Sequence, residues 1–330
     1  MNKSIIVLLL ASTAAYAATE EHLTKTFPVT TGGTLIVDVD FGAIEVDTNA
    51  APAEISVDAW RKVTRKTKSD EERFLRDHPV QFDNDGKTLK ILCRSKEKNL
   101  FSGKNRNEGK YLIHVPAQFN TRLNTAGGEV SVSGLTGETR VNTSGGRLGF
   151  AHLHGPLTGV TSGGDVHLAD CDGTAKVGTS GGKIEATACA GSLDATTSGG
   201  PISVQTFQGP AVLETSGGSI SLSKIGGRLQ ASTSGGSIGL VMIAPVPGEI
   251  SLSSSGGNLN LEAPENAAFN IDARTSGGEV ACDLPVTVKG KLESERLNGT
   301  VNGGGPEVVL RTDGGDIRIR KSDAPKVEKP

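Results

Sequence analysis

Apolar and polar residues alternate in short runs along most of the chain, and these runs repeat. A Thr-Ser-Gly-Gly tetrapeptide, with a Thr-Ala-Gly-Gly variant at the start of the series, returns at a constant interval. Alternation with a period of two is typical of β-strands that bury one face, so the pattern predicts strands and not helices. The tetrapeptide begins at Thr125, Thr143, Thr161, Thr179, Thr197, Thr215 and Thr233.

Each repeat contains apolar runs that glycine separates. Counted from the Thr, positions 6 and 8 are apolar, positions 11, 15 and 17 mostly so, and position 13 is Gly in six successive repeats. We expect the glycines at positions 3, 4 and 13 to turn the chain with positive φ. One repeat then makes one coil of two short strands with its apolar side chains inside. Position 6 is Val130, Leu148, Val166, Ile184, Ile202, Ile220 and Ile238.

A single coil of this kind cannot bury its apolar side chains. Coils stacked about 4.8 Å apart in parallel register would form continuous apolar columns from equivalent residues. The predicted fold class is therefore all-β, a single-stranded parallel β-helix or β-solenoid with about 18 residues in each coil. The repeated Thr shares the inward parity. We expect its hydroxyl to bond turn backbone or the next Thr, because an unpaired buried hydroxyl costs about 1–3 kcal/mol.

The chain divides into a predicted signal peptide (1–17), a β-solenoid domain (18–320) and a polar tail (321–330). Lys3, an apolar run and Ala15-Tyr16-Ala17 form the signal-peptide pattern, with cleavage after Ala17. The apolar run is too short for a membrane-spanning helix of about 20 residues. We therefore expect an exported protein, periplasmic or at the cell surface or secreted, with no transmembrane segment in the mature chain.

The β-solenoid domain is regular only in its middle. Coils are regular over 121–245 and looser over 246–320, where the spacing of the tetrapeptides widens. The part from 18 to 120 is irregular and contains a capping insertion at about 60–110. There Ser69-Asp70-Glu71-Glu72 is a capping-box pattern that opens a short helix, which ends before Pro79.

Composition supports this architecture and narrows the function classes. Glycine makes up 44 of 330 residues without a collagen period, and so much glycine disfavours a helical bundle. The formal net charge of −3 argues against a nucleic-acid binder. Basic residues concentrate in the insertion, where they could contact anionic glycans or simply be solvated. They are Arg61, Lys62, Arg65, Lys66 and Lys68, then Arg94, Lys96, Lys98, Lys104, Arg106 and Lys110.

Two residue sets are candidates for chemistry at the coil corners. His152 and His154 flank an inward Leu, and Asp170 and Asp172 occupy the same outward positions of the next repeat. Two His and two Asp on one edge could hold zinc, and the alternative is a solvated His–Asp ladder. Gly178-Thr179-Ser180-Gly181-Gly182 matches the nucleophile pattern G-x-S-x-G, but it lacks the strand–elbow–helix context and is a coincidence of one coil.

The four cysteines are Cys93, Cys171, Cys189 and Cys282, and their parity places them among inward positions. Buried apolar packing is the simplest interpretation. Cys171 and Cys189 share position 11 of adjacent coils, at a spacing of about 4.8 Å that lies inside the disulfide range. An exported protein meets oxidants, so a structural Cys171–Cys189 disulfide is the alternative.

The spaced tetrapeptides resemble a known family. Together with the Tyr111–Pro116 segment that leads into Leu123-Asn124-Thr125, and the ending from Gly303 to Ile319, they look like the putative-adhesin family of bacterial exported β-solenoids, the DUF4097 type. The resemblance implies a right-handed β-helix. It transfers no catalytic residues.

The favoured function is a non-enzymatic, adhesin-like scaffold or binding module of the cell envelope, without catalytic residues or cofactors. Its partner would be an unidentified envelope component or a glycan. The alternatives are a polysaccharide-acting β-helix enzyme, which needs clustered carboxylates and usually aromatic platforms, and an envelope-signalling accessory protein.

Overall fold

The computed structural model describes residues 18–48, 51, 53–94, 106–289 and 293–322. The predicted signal peptide (1–17) and residues 323–330 of the predicted tail lie outside the described residues, as do Lys96, Lys98 and Lys104 of the basic stretches. The fold is nearly all β, with 60% strand and, in the part described, one helix. No described helix is long and apolar enough to cross a membrane.

The chain forms two compact units, Met1–Asp165 and Val166–Pro330. The first unit contains helix α1, Lys68–Asp77, between its fourth and fifth strands. Its strands are β1 (Thr19–Pro28), β2 (Thr34–Val39), β3 (Ala43–Asp47), β4 (Glu54–Thr64), β5 (Gln81–Asn84), β6 (Thr88–Cys93), β7 (Arg106–His114), β8 (Asn120–Thr125), β9 (Val130–Ser133), β10 (Thr139–Thr143), β11 (Leu148–Ala151) and β12 (Leu157–Thr161).

The first unit stacks its coils in an order that differs from the chain order. The coil made by β2 and β3 pairs in parallel with β8 and β9 on one side and with β6 and β7 on the other. The second half of the predicted insertion is therefore itself a coil of the stack, because β6 and β7 continue the apolar columns. Beyond it, β4 pairs antiparallel with β7, and β1 pairs antiparallel with β4.

Helix α1 begins earlier than predicted. Its N-cap is Thr67, whose hydroxyl accepts a hydrogen bond from the backbone N–H of Asp70, so the cap lies two residues before Ser69. The helix ends at its C-cap His78, directly before Pro79, as the sequence indicates. Buried Glu71 on this helix accepts hydrogen bonds from the backbone N–H and hydroxyl of Thr19, at 3.1 and 2.7 Å, and so ties β1 to the helix.

The second unit contains the most regular coils. Its strands are β13 (Val166–Ala169), β14 (Asp172–Thr179), β15 (Ile184–Thr197), β16 (Ile202–Gln208), β17 (Ala211–Thr215), β18 (Ile220–Ile225), β19 (Leu229–Thr233), β20 (Ile238–Val241), β21 (Ile250–Ser254), β22 (Leu259–Ala263), β23 (Phe269–Thr275), β24 (Val280–Cys282), β25 (Val286–Val288), β26 (Arg296–Val301), β27 (Glu307–Thr312) and β28 (Ile317–Lys321).

The register of this unit confirms that one repeat makes one coil. Ile184 pairs in parallel with Ile202, Ile202 with Ile220, and Ile220 with Ile238, so each residue meets its equivalent in the next repeat. These four side chains are at most 1% exposed, so they form one of the predicted apolar columns. The β-solenoid prediction is confirmed.

The last coils of the second unit are interleaved. Strands β27 and β28 lie between the coil of β21 and β22 and the coil of β23 and β24. In chain order, the outermost coil of β23 and β24 therefore precedes the coil of β27 and β28 on which it stacks. Strands β25 and β26 come between them in the chain; β26 pairs antiparallel with β23, and β25 pairs antiparallel with β26. Cys282 lies on β24 in this outer coil, in register with buried Ile319 of the same apolar column, and is half-buried.

The chain bends at the tetrapeptide as predicted, but the two glycines there do not have the predicted positive φ. Positive φ occurs at position 13, for example 128° at Gly155 and 102° at Gly191, and at position 10, which is occupied by His152 and Asp170 among others. The second tetrapeptide glycine is needed for space instead. A Cβ on Gly200 would lie 1.9 Å from the carbonyl oxygen of Gly182 in the preceding coil.

The repeated Thr hydroxyls bond the backbone of two coils. Thr215 Oγ1 donates to the carbonyl of Gly200 at 2.9 Å and accepts from the N–H of Gly218 at 3.2 Å. The same pair of bonds recurs at Thr143 and Thr161 in the first unit and at Thr233 in the second. The prediction that these hydroxyls bond turn backbone is confirmed.

Candidate functional site

The predicted zinc ligands occupy exposed corners. His152 and His154 belong to the first unit, Asp170 and Asp172 to the second, and all four side chains are exposed. Over the described ranges, no group of three or more His, Cys, Asp or Glu side chains is placed to hold a metal ion. Positive φ values of 52° at His152 and 51° at Asp170 assign these residues a role in the corner, since His and Asp tolerate that conformation.

Cys171 and Cys189 lie together in the second unit as buried, unbridged thiols. The backbone N–H of Cys171 approaches Cys189 Sγ at 3.5 Å. Hydrogen bonding with the Cys171 side chain, opposed by burial and aided by backbone hydrogen bonds at Cys171 and Thr187, lowers the pKa of Cys189 to about 7. The predicted adjacency is therefore present, and the disulfide stays a prediction.

The basic stretches do not form one solvated surface. Arg61 is 0% exposed and belongs to the apolar face of β4, where Ile55, Val57, Ala59 and Val63 are also buried. The interpretation of Arg61 as part of a solvated or glycan-contacting stretch is therefore wrong. Its parity with these apolar neighbours was the available sequence signal.

Arg61 is held by a buried set of partners. Its Nε donates to Glu21 at 2.8 Å, and its Nη1 donates to the carbonyl of His78 at 2.6 Å and to Cys93 Sγ at 3.2 Å. Burial raises the pKa of the Cys93 thiol and also that of the Tyr111 hydroxyl, so both groups are neutral near pH 7. Because Arg61 and Tyr111 are 0% exposed, we assign this cluster a structural role.

The described surface carries a concavity on the outward face of β16, β18, β20 and β22, which we call the trough. It has a volume of about 270 Å³ and crosses four coils of the second unit. At a coil spacing of about 4.8 Å, three steps give it a length of about 14 Å. Its outward lining residues are Ser203, Gln205, Ser221, Ser223, Gly239, Val241, Asn260 and Glu262.

The register arranges these residues in two rows. Ser203, Ser221, Gly239 and Asn260 follow one another across the coils as pairing partners. The second row is Gln205, Ser223, Val241 and Glu262. Serine and glycine leave space in the middle of the first row, and a Cβ on Gly239 would meet no atom within 4 Å. The depth of the trough therefore follows from small residues at its centre.

The polar side chains of the trough are available to a ligand. Six of them make no side-chain hydrogen bond or ion pair with the residues that the structure describes. Hydroxyls and amides both donate and accept hydrogen bonds, and a carboxylate accepts them, so the trough can satisfy a ligand that has many polar groups and little charge. Sequence analysis missed it because these residues look like an ordinary solvated strand face. The six are Ser203, Gln205, Ser221, Ser223, Asn260 and Glu262.

Three solved structures align with most of the chain. A putative adhesin from Parabacteroides merdae has 12% identity and a TM-score of 0.35, with 92% of this chain and 96% of that chain covered. A putative lipid binding protein from Parabacteroides distasonis has 12% identity and a TM-score of 0.35, with 92% and 97% covered. A putative cell adhesion protein from Clostridium sporogenes has 11% identity and a TM-score of 0.27, with 91% and 100% covered.

Sequence comparison gives a clearer result than these alignments. The family described as Toastrack DUF4097 matches residues 37–320 of the 330-residue chain. No curated protein matches the chain.

Proposed function

The chain belongs to the Toastrack DUF4097 family, and on that premise we propose that it is a non-enzymatic binding module of the cell envelope, carried on a β-solenoid scaffold. The scaffold part of this proposal rests on the family match and on the β-solenoid fold. The binding role and the export of the chain are our proposals.

The observation that carries the binding role is the trough. A regular β-solenoid needs only an apolar inside and a solvated outside, so nothing in its folding requires a concavity of about 270 Å³. Six polar side chains without partners among the described residues line this space. Concave sites with a few convergent polar groups are the usual form of ligand sites.

The lining of the trough favours binding over catalysis. Glycoside hydrolysis uses a pair of carboxyl groups, one as acid and one as base or nucleophile. Glu262 is the single carboxylate among the trough's lining residues, and that lining has no His, Lys, Arg or Cys. Glu262 therefore lacks a neighbouring general acid or base within this site, so we propose that the protein binds its partner without changing it.

Export is supported by the signal-peptide pattern of the sequence. An exported binding module would meet envelope components, and among these a glycan suits the polar trough. The proposed partner class is therefore an envelope glycan.

The test measures binding and turnover in one experiment. Purified protein is incubated with purified peptidoglycan and with envelope polysaccharide, then sedimented, and the supernatant is assayed for reducing ends and unsaturated products. We expect co-sedimentation of the protein without release of either product. Reproducible release would overturn the non-enzymatic proposal, and failure to sediment with any preparation would overturn the binding proposal.

A further inference from the structure

We infer that the trough binds a short neutral oligosaccharide that carries acetamido groups. This inference rests on the proposed function and deepens it, because it assigns the binding to named residues and to one chemical class.

The hydrogen-bonding groups of the trough match those of a sugar. Ser203, Ser221 and Ser223 supply hydroxyls, and Gln205 and Asn260 supply amides on opposite sides of them. Sugar hydroxyls, like these groups, both donate and accept hydrogen bonds. Over a length of about 14 Å, at a coil step of about 4.8 Å, such groups are present on three of the four coils, those of β16, β18 and β22. An extended chain of sugar rings can therefore bond at several steps.

The charge of the trough favours a neutral ligand. Glu262 is the one charged residue among its lining. In the next coil its register partner is Arg320, and the partner of Asn260 is Arg318, which is paired with Asp316 at 2.7 Å, so the charges at this end of the trough balance. Other carboxylates of the second unit do have cationic partners, for example Asp194 with Lys176 at 3.1 Å. The trough therefore has no excess of positive charge to bind a uronate or phosphate, whereas a neutral sugar hydroxyl can donate to Glu262.

One exposed apolar side chain in the trough accounts for the acetamido preference, since the other apolar lining residues, Leu222 and Leu240, are buried. Val241 is 39% exposed and lies in the row between Ser223 and Glu262. Asn260 lies diagonally from it, beside Gly239. A methyl group on Val241 and an amide at Asn260 complement the two ends of an acetamido substituent, since the methyl buries apolar area and the amide pairs with the amide.

The space over Gly239 permits a direct test. The Gly239→Ile substitution would fill the middle of the trough, and its Cβ would meet no atom within 4 Å, so the backbone there has room for a side chain. Gly149 occupies the same coil position, position 7, in the first unit and is equally open, with Ser131 Oγ as its nearest atom at 3.9 Å. Gly149→Ile is therefore the matched control, with the same chemical change outside the trough.

The experiment titrates wild-type protein, Gly239→Ile and Gly149→Ile with tetra-N-acetylchitotetraose in a calorimeter. Oligogalacturonate serves as the anionic comparator, and thermal unfolding of each variant confirms the fold. We expect wild type and Gly149→Ile to bind the chitotetraose equally, and Gly239→Ile to bind it about tenfold or more weakly through lost hydrogen bonds and contact area. A second variant, Gln205→Ala with Asn260→Ala, tests the polar contacts without filling the trough, and we expect it to weaken binding as well.

Two outcomes would overturn the inference. One is equal binding by Gly239→Ile and wild type, and the other is a preference for oligogalacturonate or no binding of the chitotetraose. The same three proteins are then sedimented with peptidoglycan and envelope polysaccharide. If all three sediment equally, the protein is still a binding module and only the trough assignment fails. If none sediments, the proposed function itself fails.

Discussion

Thr197 Oγ1 donates a hydrogen bond of 3.0 Å to the carbonyl of Gly182, which lies 15 residues earlier in the preceding coil. The same oxygen accepts from the N–H of Gly200 at 3.3 Å. One hydroxyl thus joins two successive turns, and it belongs to a residue that is 2% exposed. This pair of hydrogen bonds explains why the tetrapeptide recurs along the chain. The Thr hydroxyl makes the hydrogen bonds between coils, and the second glycine leaves space for the backbones of successive coils to approach.

Thr197→Val tests these two hydrogen bonds. Valine keeps the β-branched shape but removes the hydroxyl, which leaves the Gly182 carbonyl and the Gly200 N–H without this partner. We expect the free energy of unfolding to fall by about 1–3 kcal/mol. Urea unfolding measures it. The control is Thr196→Val, the same change at the exposed neighbour, which we expect to be within about 0.5 kcal/mol of wild type. Equal effects of the two changes would refute the role of the buried hydroxyl.

Gly200→Ala tests the close approach of the coils. The added Cβ would lie 1.9 Å from the Gly182 carbonyl oxygen, so the coils must separate locally. We expect a loss of about 3 kcal/mol or more, at the upper end for overpacked sites. Gly199→Ala is the control one residue away, where the nearest atom to the new Cβ is the Ser180 carbonyl oxygen at 3.6 Å. Chemical denaturation should separate the two variants, and a Gly200→Ala protein as stable as Gly199→Ala would contradict the steric explanation.

Arg61→Met tests the buried cluster of the first unit. The substitution leaves Glu21 beside an apolar side chain, and removal of one partner of a buried ion pair costs about 3–5 kcal/mol. Because Glu21 is 20% exposed, we expect a value at the lower end. Lys62→Met is the matched control, since Lys62 and its partner Glu20 are 36% and 45% exposed and such surface pairs contribute about 0–1 kcal/mol. The unfolding midpoints of both variants decide the comparison, and similar midpoints would argue against a stabilising role for Arg61.

Cys171 and Cys189 should form a disulfide when the protein is treated with diamide, which takes up two hydrogens as the two thiols join. The attacking group is the Cys189 thiolate. Because its pKa is lowered to about 7, the reaction should run near pH 7 and slow as the pH falls below that value and the thiolate is protonated. Intact mass after quenching at several pH values follows the loss of two hydrogens. Cys171→Ser removes the bridge and serves as the control.

Two results would count against this prediction. One is free thiols at both positions after treatment at neutral pH. The other is a rate that does not change between pH 6 and pH 8, across the range about one unit either side of the stated pKa.

The sequence determined the coil. A constant repeat interval with inward parity at fixed positions is visible from the chain alone, and the pairing of Ile184 with Ile202 and Ile220 confirms it. The inward or outward parity of each position also predicted that the Thr hydroxyls bond turn backbone and that Cys171 and Cys189 are adjacent. These properties depend on residues that are a constant number of positions apart, and the repeat interval shows which residues those are.

Only the tertiary structure decided the order of the coils at the ends of each unit. The alternation within β6 and β7, or within β27 and β28, fits any place in a stack, because every coil offers the same apolar columns to its neighbours. The interleaving depends on which edges remain open when the chain returns. Likewise, the burial of Arg61 depends on β1 and α1 bringing Glu21 and the His78 carbonyl to it.

The trough depends on two rows of small and polar residues meeting across four coils. Such properties come from contacts between segments whose separation no local pattern encodes.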